Sequence, residues 1–275
     1  MTSILDRPAP PPDLTVRYGT LPEHIIDLRL PAGTGPAPLI VLFHGGYWRP
    51  QYDRTYLRPM AHALAACGYV VAMPEYRRAG MAEEGWSGTF RDVAAACDQV
   101  GGLCAAHGAD RDRITWAGHS AGGHLALWAA SRPWFPASSP WYGPCDASRV
   151  ISLAGVNSLR LAAEWNLDDG AVQNLLGGGP DDVPERYAIA DPAALTPPAV
   201  PVTLVHGTAD DRVPVGMSRA TSIGRLIELP GAGHFDLIDP HSRYWPRVLT
   251  AITGILLTRF AGVRFRAPIR YAGGG

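Results

Sequence analysis

Hydrophobic positions along the chain fall into short unbroken runs, separated by longer stretches with helical spacing. Leu39-Ile40-Val41-Leu42-Phe43 is apolar throughout, the pattern of a strand covered on both faces. Residues 69–73, 113–117, 150–155, 202–206 and 225–229 read as further strands, rich in Val, Ile and Leu. Residues 16–18 and 24–30 alternate enough to be strands, with a proline-bounded turn over 31–38 after the second. Residues 53–67 put Leu57, Met60, Ala61 and Leu64 on one helical stripe that Gly68 stops. Residues 89–107 repeat that pattern with Phe90, Val93, Ala94, Cys97, Val100 and Leu103, opened by Thr89 as the cap. Helices are also expected at 124–130, 215–222 and 243–260. Strands alternating with such helices predict an α/β fold with a mostly parallel central sheet flanked by helices.

Between 158 and 198 the regular pattern loosens. Short helices at 159–165 and 171–176 precede Gly177-Gly178-Gly179-Pro180 and a proline-punctuated stretch. This segment reads as a small cap inserted over the C-terminal edge of the sheet, with an ordinary long connection as the equal alternative. Residues 1–13 read as a flexible arm, 14–260 as the domain, and 261–275 as a mobile tail ending in three glycines.

Composition narrows the chemistry. Of the 275 residues, 47% are hydrophobic and 18% charged, enough for a large core. A net charge of −1, with no block of like charge, argues against nucleic acid or a membrane surface as partner. The first 13 residues lack an apolar h-region and no stretch reaches the length of a membrane span, which implies a soluble cytoplasmic protein. Cys67, Cys97, Cys104 and Cys145 show no Cys-x-x-Cys spacing and read as reduced thiols. All 24 basic residues are arginine. Without lysine, Schiff-base chemistry, a pyridoxal-phosphate enzyme and a P-loop are excluded. No metal-ligand spacing occurs, so neither metal nor cofactor is expected. The expected partner is a small-molecule substrate, with a homodimer left open.

The reactive residues cluster where strands end. Gly118-His119-Ser120-Ala121-Gly122-Gly123 lies between a predicted strand and a predicted helix, the context of a nucleophile elbow. There the serine occupies a strained turn, and Gly118 and Gly122 leave the room a Cβ would fill. Asp210 and Asp211 follow the strand over 202–206, and Gly233-His234-Phe235-Asp236 follows the strand over 225–229. The order Ser, Asp, His suits a triad in which His234 deprotonates Ser120 and a carboxylate steadies the imidazolium. Asp210 is favoured over Asp211 because it stands first after the Gly207-Thr208-Ala209 turn and three before Val213. His44-Gly45-Gly46, after the strand over 39–43, would supply backbone N–H donors from Gly45 and Gly46; with that of Ala121 they would form the oxyanion hole. The aromatic Tyr47, Trp48, Trp86 and Trp165 would line a pocket for an aryl group, with core or lid packing as the even alternative. His44, His206 and His124 are expected to hold loops or pack, and His119 is the variable residue of the elbow.

Together these segments resemble the α/β-hydrolase superfamily, in the branch of hormone-sensitive-lipase-like esterases, over about residues 16–260. Within it, His44-Gly45-Gly46-Tyr47-Trp48 and Gly118-His119-Ser120-Ala121-Gly122-Gly123-His124-Leu125 look like the kynurenine formamidases (arylformamidases). That resemblance implies catalysis by Ser120, Asp210 and His234 with Gly45 and Gly46, and hydrolysis of N-formyl-kynurenine to kynurenine and formate, a step of tryptophan catabolism. Glu75-Tyr76-Arg77 stands where related esterases keep an Asp-Tyr-Arg packing motif. A general short-chain carboxylesterase is the alternative reading, and a non-catalytic small-ligand binder is the alternative of another class.

Overall fold

The computed structural model describes residues 4–81 and 85–254; the expected tail over 261–275 lies outside the described residues. Eight strands form one sheet: β1 (Leu14–Arg17), β2 (Ile25–Arg29), β3 (Ala37–Phe43), β4 (Val70–Pro74), β5 (Ala109–His119), β6 (Arg149–Leu153), β7 (Val202–Gly207) and β8 (Arg225–Leu229). Their spatial order is β1-β2-β4-β3-β5-β6-β7-β8. β2 runs antiparallel to both its neighbours, and all other pairings are parallel. β3 and β4, at the centre of the sheet, are apolar on both faces because helices cover both. In β3, Leu39, Val41 and Phe43 enter one core while Ile40 and Leu42 enter the other.

The first core lies under α2 (Ser87–Ala105) and α3 (Ala121–Ala130), and the second under α1 (Arg58–Ala66). Every residue of α3 is buried, as expected for a helix apolar on all sides. α4 (Leu159–Glu164), α5 (Ala171–Leu176) and α6 (Pro184–Ala190) make up the segment between β6 and β7. α7 (Gly216–Arg219) precedes β8, and α8 (Trp245–Thr253) packs beside α1 on the second face.

The expected cap is tied down on two sides. His124 Nε2 donates to the Ala190 carbonyl at 2.9 Å and Trp128 Nε1 to that of Ile189 at 3.1 Å, which seats α6 on α3. Arg49 pairs with Asp168 and so ties the α4–α5 loop to the loop after β3. Proline at its first turn suits α6, since the missing N–H has no intrahelical acceptor there, yet the surrounding prolines hide this helix in the sequence.

Three expectations need correction. The arm is docked over residues 4–13, with Ile4 buried in the second core. Arg7 pairs with Asp239, and Arg29 binds Asp13 at 3.0 Å and the Pro10 carbonyl at 2.7 Å. Thr89 does not cap α2: the helix starts two residues earlier, and Thr89 Oγ1 donates to the Arg77 carbonyl at 2.7 Å. The last helix ends at Thr253, where Gly254 takes a left-handed φ of 70°, and residues 255–260 lie outside the described residues. Among the described residues no helix is long and apolar enough to cross a membrane.

Candidate active site

β5 turns into α3 through Ser120, whose φ of 59° and ψ of −122° lie outside the regions L-residues favour. The flanking glycines make that turn possible. A Cβ on Gly118 would come within 2.0 Å of the Gly122 carbonyl oxygen, and one on Gly122 within 2.1 Å of that of Phe43. Both obstacles are backbone, so neither can give way. α3 begins at Ala121, so its first N–H groups have no acceptor within the helix and gather beside the serine.

The acid and the histidine come from the turns after β7 and β8. His234 Nδ1 lies 2.8 Å from Asp210 Oδ2, with both side chains almost fully buried. The other carboxylate oxygen accepts the N–H groups of Val213 at 2.8 Å and Arg212 at 2.9 Å. Burial alone would raise the pKa of Asp210. Hydrogen bonds from His206 and His234, with the His234 charge, outweigh it and hold the carboxyl well below the usual carboxylate range. Asp211 points to solvent, 80% exposed, so the choice between the two aspartates falls to Asp210.

Ser120 and His234 line one cavity of about 140 Å³, together with His119 and Gly46. Tyr47, Tyr52, Tyr56 and Phe235 form its aromatic wall, while Asp168 and Arg212 also line it. Leu5, from the docked arm, completes the lining. Among the described residues no group of three or more His, Cys, Asp or Glu is placed to hold a metal ion.

The loop after β3 is strained and well anchored. Gly46, Tyr47 and Trp48 take consecutive positive φ values of 97°, 50° and 54°. Such a run persists only where its surroundings over-determine it. Tyr47 Oη donates to the Arg212 carbonyl at 2.6 Å, joining this loop to the acid turn. Trp48 is fully buried and meets His124 edge-on at 5.1 Å, and its carbonyl accepts from Ala79 N–H. His44 is held by Glu75 at 3.0 Å and stacks on Tyr76 at 4.2 Å, so both it and the Glu75-Tyr76-Arg77 segment are structural.

Not every expected residue reaches the cavity. Gly45 N–H donates to Tyr56 Oη at 2.7 Å and is committed there, whereas Gly46 lines the cavity and its N–H has no protein acceptor among the described residues. The expected glycine donors therefore narrow to Gly46. Trp48 is core, filling the space beside His124. Trp86 stands in an aromatic cluster with Phe90 and Trp141, at 5.8 and 5.7 Å, under the Arg186 guanidinium. Trp165 is 38% exposed beside Gly216 and does not line the cavity. Only Tyr47 of the four predicted aromatic residues faces the site.

Sequence reasoning missed Tyr56 and the part His119 plays. Tyr56 Oη lies 3.1 Å from His119 Nδ1, and His119 Nε2 lies 3.1 Å from the His234 carbonyl oxygen. A carbonyl only accepts, so Nε2 carries the proton and Tyr56 donates to Nδ1. Burial, and then the nearby His234, push the His119 pKa well below its ordinary value and keep it neutral. The loop after β3 is thus joined to the backbone of His234 through two side chains. No local pattern marks Tyr56, which resembles any tyrosine at the edge of a helix.

A serine elbow, an acid turn and a histidine turn along the C-terminal edge of a mostly parallel sheet define an α/β-hydrolase. The sheet matches the truncated form of a carbohydrate esterase from gut microbiota at a TM-score of 0.72 and 19% identity, over 89% of this chain and 99% of that one. It also matches esterase B from Lactobacillus rhamnosis at a TM-score of 0.71 and 20% identity, over 92% and 88% of the two chains. The chain belongs to the BD-FAE family, which matches residues 26–222. It is 30% identical over 254 residues to esterase LipC of Mycobacterium tuberculosis, covering 82% of this chain and 60% of LipC. Esterase LipQ of the same organism is 26% identical over 261 residues, covering 88% of this chain and 62% of LipQ. The chain therefore spans about three fifths of the length of these relatives.

Proposed function

We propose that the chain is a serine carboxylesterase that cleaves small esters through an acyl-enzyme. The observation that carries this reading is the buried Asp210–His234 pair at 2.8 Å, opening on the same cavity as the strained Ser120. His234 takes the proton of Ser120 as the serine oxygen attacks the ester carbonyl. Asp210 holds the imidazole with its proton on Nδ1 and balances the imidazolium that forms. The N–H groups of Gly46 and Ala121 receive the charge on the carbonyl oxygen. His234 returns the proton to the departing alcohol, then activates the water that releases the acid.

Size and lining suggest the substrate. A cavity of about 140 Å³ is close to the ~150 Å³ that accommodates a benzene-sized group. That favours an acetyl or propionyl group over a long acyl chain. The similarity to LipC and LipQ, both esterases, supports the same class. A second reading, hydrolysis of an aryl formamide, draws on the resemblance of the His44–Trp48 and Gly118–Leu125 segments to the kynurenine formamidases and on the aromatic wall of Tyr47, Tyr52, Tyr56 and Phe235.

A fluorophosphonate probe should label the wild type and Asp211→Asn but not Ser120→Ala. Equal labelling of Ser120→Ala would refute the mechanism. p-Nitrophenyl acetate turned over faster than the octanoate and than N-formyl-kynurenine supports the esterase; N-formyl-kynurenine turned over fastest would move the assignment to the formamidase.

A further inference from the structure

Asp210 has a second imidazole against it. His206, near the C-terminal end of β7, places Nε2 3.4 Å from Asp210 Oδ2 and 2.8 Å from the Val213 carbonyl oxygen. A carbonyl only accepts, so Nε2 carries the ring proton. Nδ1 must then be an acceptor, and Ser218 Oγ stands 2.7 Å from it. Ser218 can give its proton to the ring because its oxygen accepts Asn157 Nδ2–H at 2.8 Å. The Asn157 amide is oriented in turn by Ser152, whose hydroxyl donates to Oδ1 at 2.8 Å. Every donor in this series is used in one direction, from β6 through the turn after it and α7 to the end of β7.

Ser152, Asn157, Ser218 and His206 are each no more than 2% exposed. Apolar side chains would fill that space without desolvating four polar groups, so the series calls for a reason beyond packing. Asp210 supplies one. Its Oδ1 takes two backbone N–H groups, and its Oδ2 faces the two imidazoles.

We propose that Ser152, Asn157, Ser218 and His206 form a positioning chain that fixes the His206 tautomer with its Nε2–H on the Val213 carbonyl and beside Asp210 Oδ2, holding the carboxylate edge that orients His234. The proposal rests on the triad reading above. His206 touches neither substrate nor the reacting atoms, so it is a positioning residue rather than a catalytic one. Its reach is electrostatic as well as geometric. Burial alone would raise the Asp210 pKa, and the two imidazoles against Oδ2, His234 at 2.8 Å and His206 at 3.4 Å, both act to keep it ionised. The other charged or titratable groups near the pair are Tyr47, His119, Asp211 and Arg212, with Glu228 on the neighbouring strand opposite His206, itself paired with Arg219. If His206 no longer donates, the carboxylate charge falls more fully on His234 and favours its imidazolium.

The test compares His206→Phe, His206→Gln and Ser218→Ala with wild type and Ser120→Ala, on p-nitrophenyl acetate across pH. His206→Phe should lower kcat about 10- to 100-fold with KM within about twofold, and move the acid limb of kcat/KM to higher pH. His206→Gln retains a donor and should recover most of kcat. Ser218→Ala removes only one hydroxyl, so it carries the test even if His206→Phe fails to fold; it should lower kcat severalfold and move the acid limb the same way. An inactive Ser120→Ala beside a folded Ser218→Ala with wild-type kcat and acid limb would overturn the positioning chain while leaving the triad standing. So would a loss of kcat that tracks a loss of folded protein, with the acid limb unmoved. An active Ser120→Ala would overturn the triad and the chain together.

Discussion

Replacing the serine of the elbow by glycine should stabilise the protein while abolishing its activity. Ser120 sits at φ 59° and ψ −122°, a conformation that costs an L-residue ~1–3 kcal/mol. Glycine adopts it without that penalty but loses more backbone freedom on folding, which costs ~0.5–1 kcal/mol relative to alanine. The net gain of Ser120→Gly over Ser120→Ala is then ~0.5–2 kcal/mol. Alanine is the proper reference because it removes the same hydroxyl and keeps the Cβ that creates the strain. With an unfolding entropy of ~2.1 cal/mol/K per residue, a chain of 275 residues gains ~2 °C in Tm per kcal/mol, so the difference should be ~1–4 °C. Calorimetry of the two inactive variants, checked by urea unfolding, measures it directly. A Ser120→Gly protein no more stable than Ser120→Ala would refute the view that the turn stores backbone strain.

The remaining predictions concern the walls of the cavity, its hydrogen bonds and acid lability. Tyr52→Ala should raise KM for small esters, whereas Trp86→Ala and Trp165→Ala should leave kcat/KM within about twofold, because only Tyr52 of the three lines the cavity. Tyr56→Phe strands the Gly45 N–H and His119 Nδ1, two largely buried groups at ~1–3 kcal/mol each; chemical denaturation should show a loss of ~2–6 kcal/mol, and kcat should fall about tenfold. Burial holds His124 at about 4 against an ordinary 6.5. The unfolded chain therefore takes up a proton first, so the contribution of His124 is complete above pH ~6.5 and is lost as pH falls toward 4, by ~3 kcal/mol. Glu75 acts lower. Burial would raise its pKa, but His44 and Arg78 hold it at about 2, so its contribution is lost as pH falls from about 4.5 toward 2. Unfolding midpoints in urea, measured between pH 7 and 4, should decline less in His124→Gln than in wild type.

How far the sequence reveals the site depends on the distance over which each feature is set. The elbow is local: Gly118, Ser120 and Gly122 declare their turn within five residues, and the strand and helix on either side are readable from the same stretch. The acid turn and histidine turn are nearly as local, because both follow apolar runs whose ends are marked by glycine. β3 contains its predicted run, since a strand buried on both faces leaves an unbroken apolar signature, and β8, a half-exposed edge strand, still appears over the predicted span. Thr89 misleads because its hydroxyl has a better partner, the Arg77 carbonyl across the chain, than the amides of its own helix.

Walls and supports are another matter, because long-range pairing decides them. Trp48 and Tyr47 are adjacent and similar in kind, yet one is sealed against His124 and the other reaches Arg212, 165 positions away. Nothing within the Gly45–Trp48 loop distinguishes the two fates; they follow from where α3 and the acid turn lie relative to β3. The same holds for Gly45, whose amide would serve an oxyanion as well as that of Gly46 if Tyr56 did not claim it. Since Tyr56 also donates to His119, and His119 to the backbone of His234, that one phenol decides which amide is left free at the cavity and helps fix where His234 stands. Reaction class can thus be carried by three short motifs while the shape of the cavity depends on tyrosines that no motif contains. Relatives with the same elbow and triad should therefore differ in substrate first at positions equivalent to Tyr47, Tyr52 and Tyr56.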